Sequence, residues 1–189
     1  MPSTPTAVPR KRTHTRRILV EGWKRDDGLW DLEGRITDTK DHDYQLASGL
    51  RLKGDPVHDM WIRVTIDRNF NVVDAVAQVA DAPYMGGCDG IAPAYRRIVG
   101  MNLVRGFRRG IAEMFETVKG CSHVTELLTS FPAAAIQTLA SEMIDTEGFV
   151  PGEKPWQIDR CHALDSTSET VRRYYPRWYR GDKTGHESA

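Results

Sequence analysis

Cys121 and His123 stand two residues apart, just after Gly120, at the head of the longest helical pattern in the chain. A helix N-terminus carries free N–H groups and partial positive charge, which favour a thiolate. Thiolate and neutral imidazole are both ligands for zinc or iron. A regular helix would turn residues two apart to different sides, so both can face one ion only if Cys121 precedes the helix. Two further positions offer the same chemistry. His58, followed by Asp59, opens a strand-like run, and Cys88 lies in the glycine-rich loop Gly86-Gly87-Cys88-Asp89-Gly90. A mixed set of His58, Asp59, Cys88, Cys121 and His123 suits a zinc ion, or iron with an open position. A reactive thiol and plain structural packing are the other readings of the same residues.

A second group lies in the charged hairpin that contains Arg25, Asp26, Asp27, Asp31, Arg35, Asp38 and Lys40. Arg25 could grip a carboxylate in bidentate fashion, or Lys40 as a point charge, and Asp27 or Asp31 could act as a base. That role requires the hairpin to fold over the cysteine and histidine end; otherwise these residues are a turn and a solvated strand face. Tyr84 and Tyr95 flank Cys88 and read as core or interface. Cys161-His162 has no neighbour of matching chemistry. Arg172 to Tyr179 interleaves bases and aromatics, which is also the pattern of an arm packed on its own domain or on a second subunit.

These residues need elements to position them. Residues 18–25 and 29–39 are strand-like and joined by Asp26-Asp27-Gly28, a hairpin signal. In the second of them Leu32 and Ile36 share one period-2 face. Residues 41–55 are polar and read as a loop. Met60 to Asp67 alternates as a third strand, and Val72 to Val79 returns antiparallel to it after a short turn. Helical patterns follow over 91–99, 103–118 and 122–144, with Asp89 as an N-cap of the first. Val124, Leu127, Leu128, Phe131, Ala135 and Leu139 form the buried stripe of the last, and Pro132 should kink or split it. Residues 148–155 read as loop. Strands first and helices after is an α+β arrangement: an antiparallel sheet with an N-terminal hairpin extension, covered by about three helices.

Composition bounds the rest. The chain has 189 residues, with 26 Lys+Arg against 26 Asp+Glu, so it is no bulk polycation for nucleic acid. Three cysteines, an odd count, argue for reduced thiols over a disulfide framework. With neither a membrane-length apolar run nor a signal-peptide core, the expected compartment is the cytoplasm. The expected organisation is a basic disordered arm over 1–17, one domain over 18–180 and a disordered tail over 181–189.

The order Asp59 to Val64, Val73-Asp74-Ala75, Gly87-Cys88, Ile98-Val99-Gly100 and Cys121-Ser122-His123 resembles the U-type iron–sulfur cluster scaffold fold over roughly residues 57–145. The resemblance implies Cys88 and Cys121 as cluster cysteines and Asp59 as the acidic residue. The chain departs from that pattern where Val57 or His58 replaces the first cysteine and where His123 follows the last one, which places a single ion ahead of a cluster. Over residues 17–145 the chain also resembles a bacterial domain-of-unknown-function family, through Arg25-Asp26-Asp27-Gly28, Asp38-Thr39-Lys40, His58-Asp59 and Gly120-Cys121-Ser122-His123. The combined reading is a metal-dependent enzyme of lyase or hydrolase type. It would use zinc or iron on a small carboxylated molecule, with a homo-oligomer as a further possibility. A non-enzymatic metal or iron–sulfur carrier and an interaction domain are its rivals.

Overall fold

A computed structural model describes residues 8–143 and 154–181. The chain divides into two compact units, residues 1–144 and 145–189, and the domain expected over 18–180 spans both. Residues 1–7 of the expected arm, most of the expected 148–155 loop and residues 182–189 of the expected tail lie outside the described residues.

The first unit is built on a four-stranded antiparallel sheet in the order β1-β2-β5-β6, where β1 is His14–Lys24, β2 Trp30–Lys40, β5 Pro56–Ile66 and β6 Val72–Asp81. The hairpin signal is borne out. Arg25 N–H donates to Leu29 O at 2.9 Å, and Gly28 takes the positive φ of +82° that the tight turn needs. β1 begins at His14, four residues inside the stretch read as an arm. The run 41–55 is less irregular than its polarity suggests, because β3 (Tyr44–Leu46) and β4 (Gly49–Arg51) pair in a small hairpin.

Alternation sorts the sheet into two faces. Trp30, Leu32, Gly34, Ile36 and Asp38 of β2 lie on the buried side, and Met60, Ile62 and Val64 of β5 join them. Helices cover that side: α1 (Phe107–Met114), α2 (Ser122–Leu128) and α3 (Phe131–Met143), with a 3₁₀ segment over Asp89–Ile98 packed on β6. The expected stripe Val124, Leu127, Leu128, Phe131, Ala135 and Leu139 is fully buried. The long helical pattern breaks between α2 and α3, and Pro132 falls in the first turn of α3, where its missing N–H costs nothing. α1 is shorter than the 103–118 pattern, since Asn102 is bridged to Asn71 and Gly106. Cys88, not Asp89, is the N-cap of the 3₁₀ segment; the Asp89 carboxylate accepts the Gly86 N–H at 2.6 Å.

Two glycines let α3 lie flat on β1 and β2. A Cβ on Gly34 would stand 2.6 Å from the Phe131 ring, and one on Gly22 would stand 1.9 Å from Thr138 Oγ1. α2 crosses β2 and β5 alongside and carries its N-terminus to the end of the sheet where β2 finishes and β5 begins.

The second unit contains a 3₁₀ turn at His162–Leu164, α4 (Glu169–Tyr174) and a 3₁₀ turn at Pro176–Trp178. Ser168 caps α4 by accepting the Val171 N–H at 3.2 Å. The interleaved bases and aromatics stack within the arm itself, with the Arg173 guanidinium 5.2 Å from the Tyr174 ring and that of Arg177 5.2 Å from Trp178.

Candidate metal centre

Asp38 is the hub. Register places it opposite His58 on β5 and opposite Arg16 on β1, all on the helix-covered face. Its side chain is 4% exposed, so its charge must be met inside the protein. Arg16 forks onto it, with Nε 2.8 Å from Oδ1 and Nη2 2.8 Å from Oδ2. His14 Nε2 approaches Oδ1 at 2.8 Å and His58 Nδ1 approaches Oδ2 at 3.1 Å. The carboxylate only accepts, so both imidazoles donate to it. From α2, His123 brings Nε2 to 3.7 Å from Oδ2, and its ring lies over that of His58 with centroids 3.8 Å apart and planes 30° apart. Arg16 Nη1 also pairs with Glu126, one helical turn beyond His123.

The electrostatics follow from burial and from Arg16. Burial raises the Asp38 carboxyl pKa, but the hydrogen bonds from Arg16 and His14, with the charges of Arg16 and His58, outweigh it and hold Asp38 far below the usual carboxylate range. Burial pushes His58 below its ordinary pKa against the opposing pull of Asp38. Burial does the same to His123, helped by the charges of His58 and Arg16. An ionised carboxylate beside two neutral imidazoles has the net charges that metal ligands need, with the His58 Nδ1 proton held on Asp38. Among the described residues, Asp38, His58 and His123 present ligand atoms that all lie within 4.8 Å of one another.

Cys121 adjoins this group without belonging to it. It is the N-cap of α2 in an extended conformation (φ −93°, ψ 125°), the pre-helical placement that lets its side chain turn toward His123. Its Sγ lies 3.8 Å from His123 Nδ1. The buried Tyr95 hydroxyl holds the backbone there, accepting the Cys121 N–H at 2.8 Å and lying 2.8 Å from its carbonyl oxygen and from Thr125 Oγ1. Tyr95, read from sequence as packing, does pack, with its ring stacked 4.3 Å from Phe115, but it also anchors the N-cap.

The other sequence candidates are placed elsewhere. Asp59 points to the opposite sheet face from His58, where Arg35 binds it at 2.7 and 2.5 Å. Cys88 packs against the core at the end of β6 and is outside the Asp38 group. The cysteine pair with Asp59 that the scaffold resemblance implies is therefore not assembled around Asp38. Arg25, Asp27 and Asp31 form their own cluster, with Arg25 Nη2 2.6 Å from Asp27 and Nη1 3.3 Å from Asp31, which accepts from Thr65 Oγ1 at 2.6 Å. Asp31 is seven residues along β2 from Asp38, roughly 24 Å at the strand rise of about 3.4 Å per residue. The hairpin turn does not fold over the histidines. Cys161 is exposed in the second unit.

Sequence reasoning missed the hub. Asp38 was placed with the charged hairpin, although it shares the period-2 face of Leu32 and Ile36. His14 and Arg16 were read as part of a tail, although they continue the face of Val20. A charge in phase with a buried stripe is the signal that finds all three.

Residues 14–137 match the family model described as "Protein of unknown function (DUF2889)". The chain belongs to this family. The matched span begins at His14 and includes Arg16, Asp38, His58, Cys121, His123 and Glu126, and it stops before the second unit. No curated protein and no solved structure matches the chain. No described helix is long and apolar enough to cross a membrane.

Proposed function

We propose that the first unit binds one divalent first-row metal ion through Asp38, His58 and His123 and is a metal-dependent enzyme. The observation that carries this is the mutual approach of the three ligand atoms within 4.8 Å. Two histidines and one carboxylate are a donor set that leaves coordination positions open, as catalytic zinc and non-haem iron(II) sites do. Bound there, the ion would supply Lewis acidity toward a carbonyl or toward water.

The chain's own residues fit supporting parts. Arg16 and His14 orient Asp38 from behind, which is how hydrogen-bonded carboxylates are held in metal sites. For His58 to offer Nδ1 as a ligand, its proton, now donated to Asp38, would have to move to Nε2, leaving the imidazole neutral. Glu126, about half exposed and tied to Arg16, is a second carboxylate beside the group and would be a candidate proton relay. The expected carboxylated substrate rests on Arg25 or Lys40; Arg25 lies at the far end of β2 from Asp38, and the Lys40 ammonium lies 5.1 Å from the Tyr44 ring, so substrate class is outside the proposal, which is confined to the metal centre.

Elemental analysis and calorimetric titration of the full chain with zinc and, without air, iron(II) test the reading. One equivalent should bind the wild type, and Asp38→Asn, His58→Ala and His123→Ala should each abolish it. A folded wild type that binds neither ion defeats it. Turnover, absent or present in the loaded protein, separates an enzyme from a metal carrier.

A further inference from the structure

His123 shows its second ring nitrogen to a different kind of donor. While Nε2 faces Asp38, Nδ1 stands 3.8 Å from Cys121 Sγ, and Cys121 Sγ stands 3.8 Å from the Sδ of Met60. Met60 is 1% exposed and lies two residues along β5 from His58, on the same face. We propose that Cys121, Met60 and His123 form a second metal site, selective for copper(I). It goes beyond the divalent centre and stands on its own donors; only the shared His123 links the two.

Three observations support it. The first is spacing. An ion with sulfur ligands at about 2.3 Å and nitrogen at about 2.0–2.1 Å sets sulfur–sulfur distances of about 3.8–4.0 Å and sulfur–nitrogen distances of about 3.6–3.8 Å. Both separations from Cys121 Sγ are 3.8 Å, within the ranges that donors on a shared ion take up. The second is preorganisation. Cys121 is fixed through its backbone by the buried Tyr95 hydroxyl on both N–H and carbonyl, and its extended N-cap conformation turns the thiol back toward β5. The third is chemistry. Thiolate and thioether together select a soft ion, and a monovalent ion with one thiolate is neutral overall, whereas a divalent ion would leave uncompensated charge beside the fully buried Met60. Binding involves no electron transfer: the Cys121 thiol releases its proton to solvent as the copper–sulfur bond forms.

Sharing has a consequence. A neutral imidazole offers one lone pair, so copper(I) on Nδ1 would leave Nε2 protonated, while a divalent ion on Nε2 would leave Nδ1 protonated. Each ion therefore lowers affinity for the other, and by the same factor.

Anaerobic titration of the full chain with copper(I), in competition with bicinchoninate, tests the site beside a parallel zinc(II) titration. One equivalent of copper(I) should bind. Cys121→Ser and Met60→Leu, each removing a ligand, should weaken it by more than the roughly 10–100-fold that a lost outer-shell partner costs, and leave zinc(II) binding unchanged. Asp38→Asn and His58→Ala should do the reverse, and His123→Ala should weaken both. Met60→Leu conserves volume and keeps the fold, so it decides the matter even if Cys121→Ser does not fold. Wild-type copper(I) affinity in Met60→Leu, or copper(I) binding lost only with Asp38 and His58, overturns the site; loss of zinc(II) binding alone bears only on the divalent centre.

Discussion

The imidazoles of His58 and His123 lie 3.8 Å apart, centroid to centroid, one from a strand and one from a helix. Two rings at this distance cannot both be protonated without strong repulsion, and the carboxylate they share is already forked by Arg16. The pair is held neutral, which suits ligands and sets how the protein responds to acid.

In the metal-free protein, both histidines have folded-state pKa values below the ordinary 6.5. The unfolded chain then binds more protons than the native one as pH falls below 6.5, so stability drops from that point downward and levels off below the folded values. Asp38, depressed from 3.8, adds a second loss as pH falls below that value. Urea unfolding midpoints measured from pH 8 to pH 3 should show both phases. His123→Ala should shrink the first and spare the second.

Removing the hub charge should be costly. Asp38→Asn removes the charge that pairs with Arg16 and leaves one carbonyl oxygen where two carboxylate oxygens accepted from Arg16, His14 and His58. Breaking a fully buried pair costs roughly 3–5 kcal/mol; because Arg16 is partly exposed and keeps Glu126, about 2–3 kcal/mol is expected here. Denaturant unfolding measures it, and a loss under about 1 kcal/mol would show that Asp38 is not the organising charge.

The seating of α3 on the sheet is tested at Gly34. Gly34→Ala drives a Cβ to 2.6 Å from Phe131, and such overpacking costs about 1–3 kcal/mol. Phe131→Leu in the same chain should recover part of that loss, giving a non-additive double mutant. Simple additivity would mean that the close approach is not the cause.

Tyr95→Phe removes the acceptor of the Cys121 N–H. A buried donor left unpaired costs about 1–3 kcal/mol, and the N-cap loosens. Copper(I) affinity should therefore fall together with stability, while zinc(II) affinity changes less. Unchanged copper(I) binding in Tyr95→Phe would show that the hydroxyl does not position the thiol.

Much of the fold is legible from pattern alone. The alternation in β2 and β5, the turn at Gly28, and the stripe from Val124 to Leu139 are local signals, and each corresponds to an element or a buried face. His58 and His123 are legible as ligand candidates because of their residue type and their positions at element starts. Asp38 was hidden for a physical reason. A lone aspartate in a run of charges looks solvated until strand pairing sets it against His58 and Arg16, and that pairing is a long-range property. The converse error at Asp59 has the same origin: adjacency to His58 in sequence means the opposite face in a strand. Met60 falls in the alternating pattern of the third strand and is buried, and nothing in the chain around it announces the sulfur of Cys121.

Arg16 and Glu126 are 110 positions apart and meet at the edge of the site. At synthesis rates of about 5–20 residues per second, the β1 residues wait roughly 5–20 s for α2 to be made. The β1–β2 hairpin needs only neighbouring residues and forms early, so a nascent chain carries His14, Arg16 and Asp38 well before either histidine ligand has joined them. On the proposed reading, the three ligand side chains can meet only after translation has passed α2. A chain cut short before that helix would lack His123, so an ion held by the proposed set would be a chemical record that synthesis had reached α2.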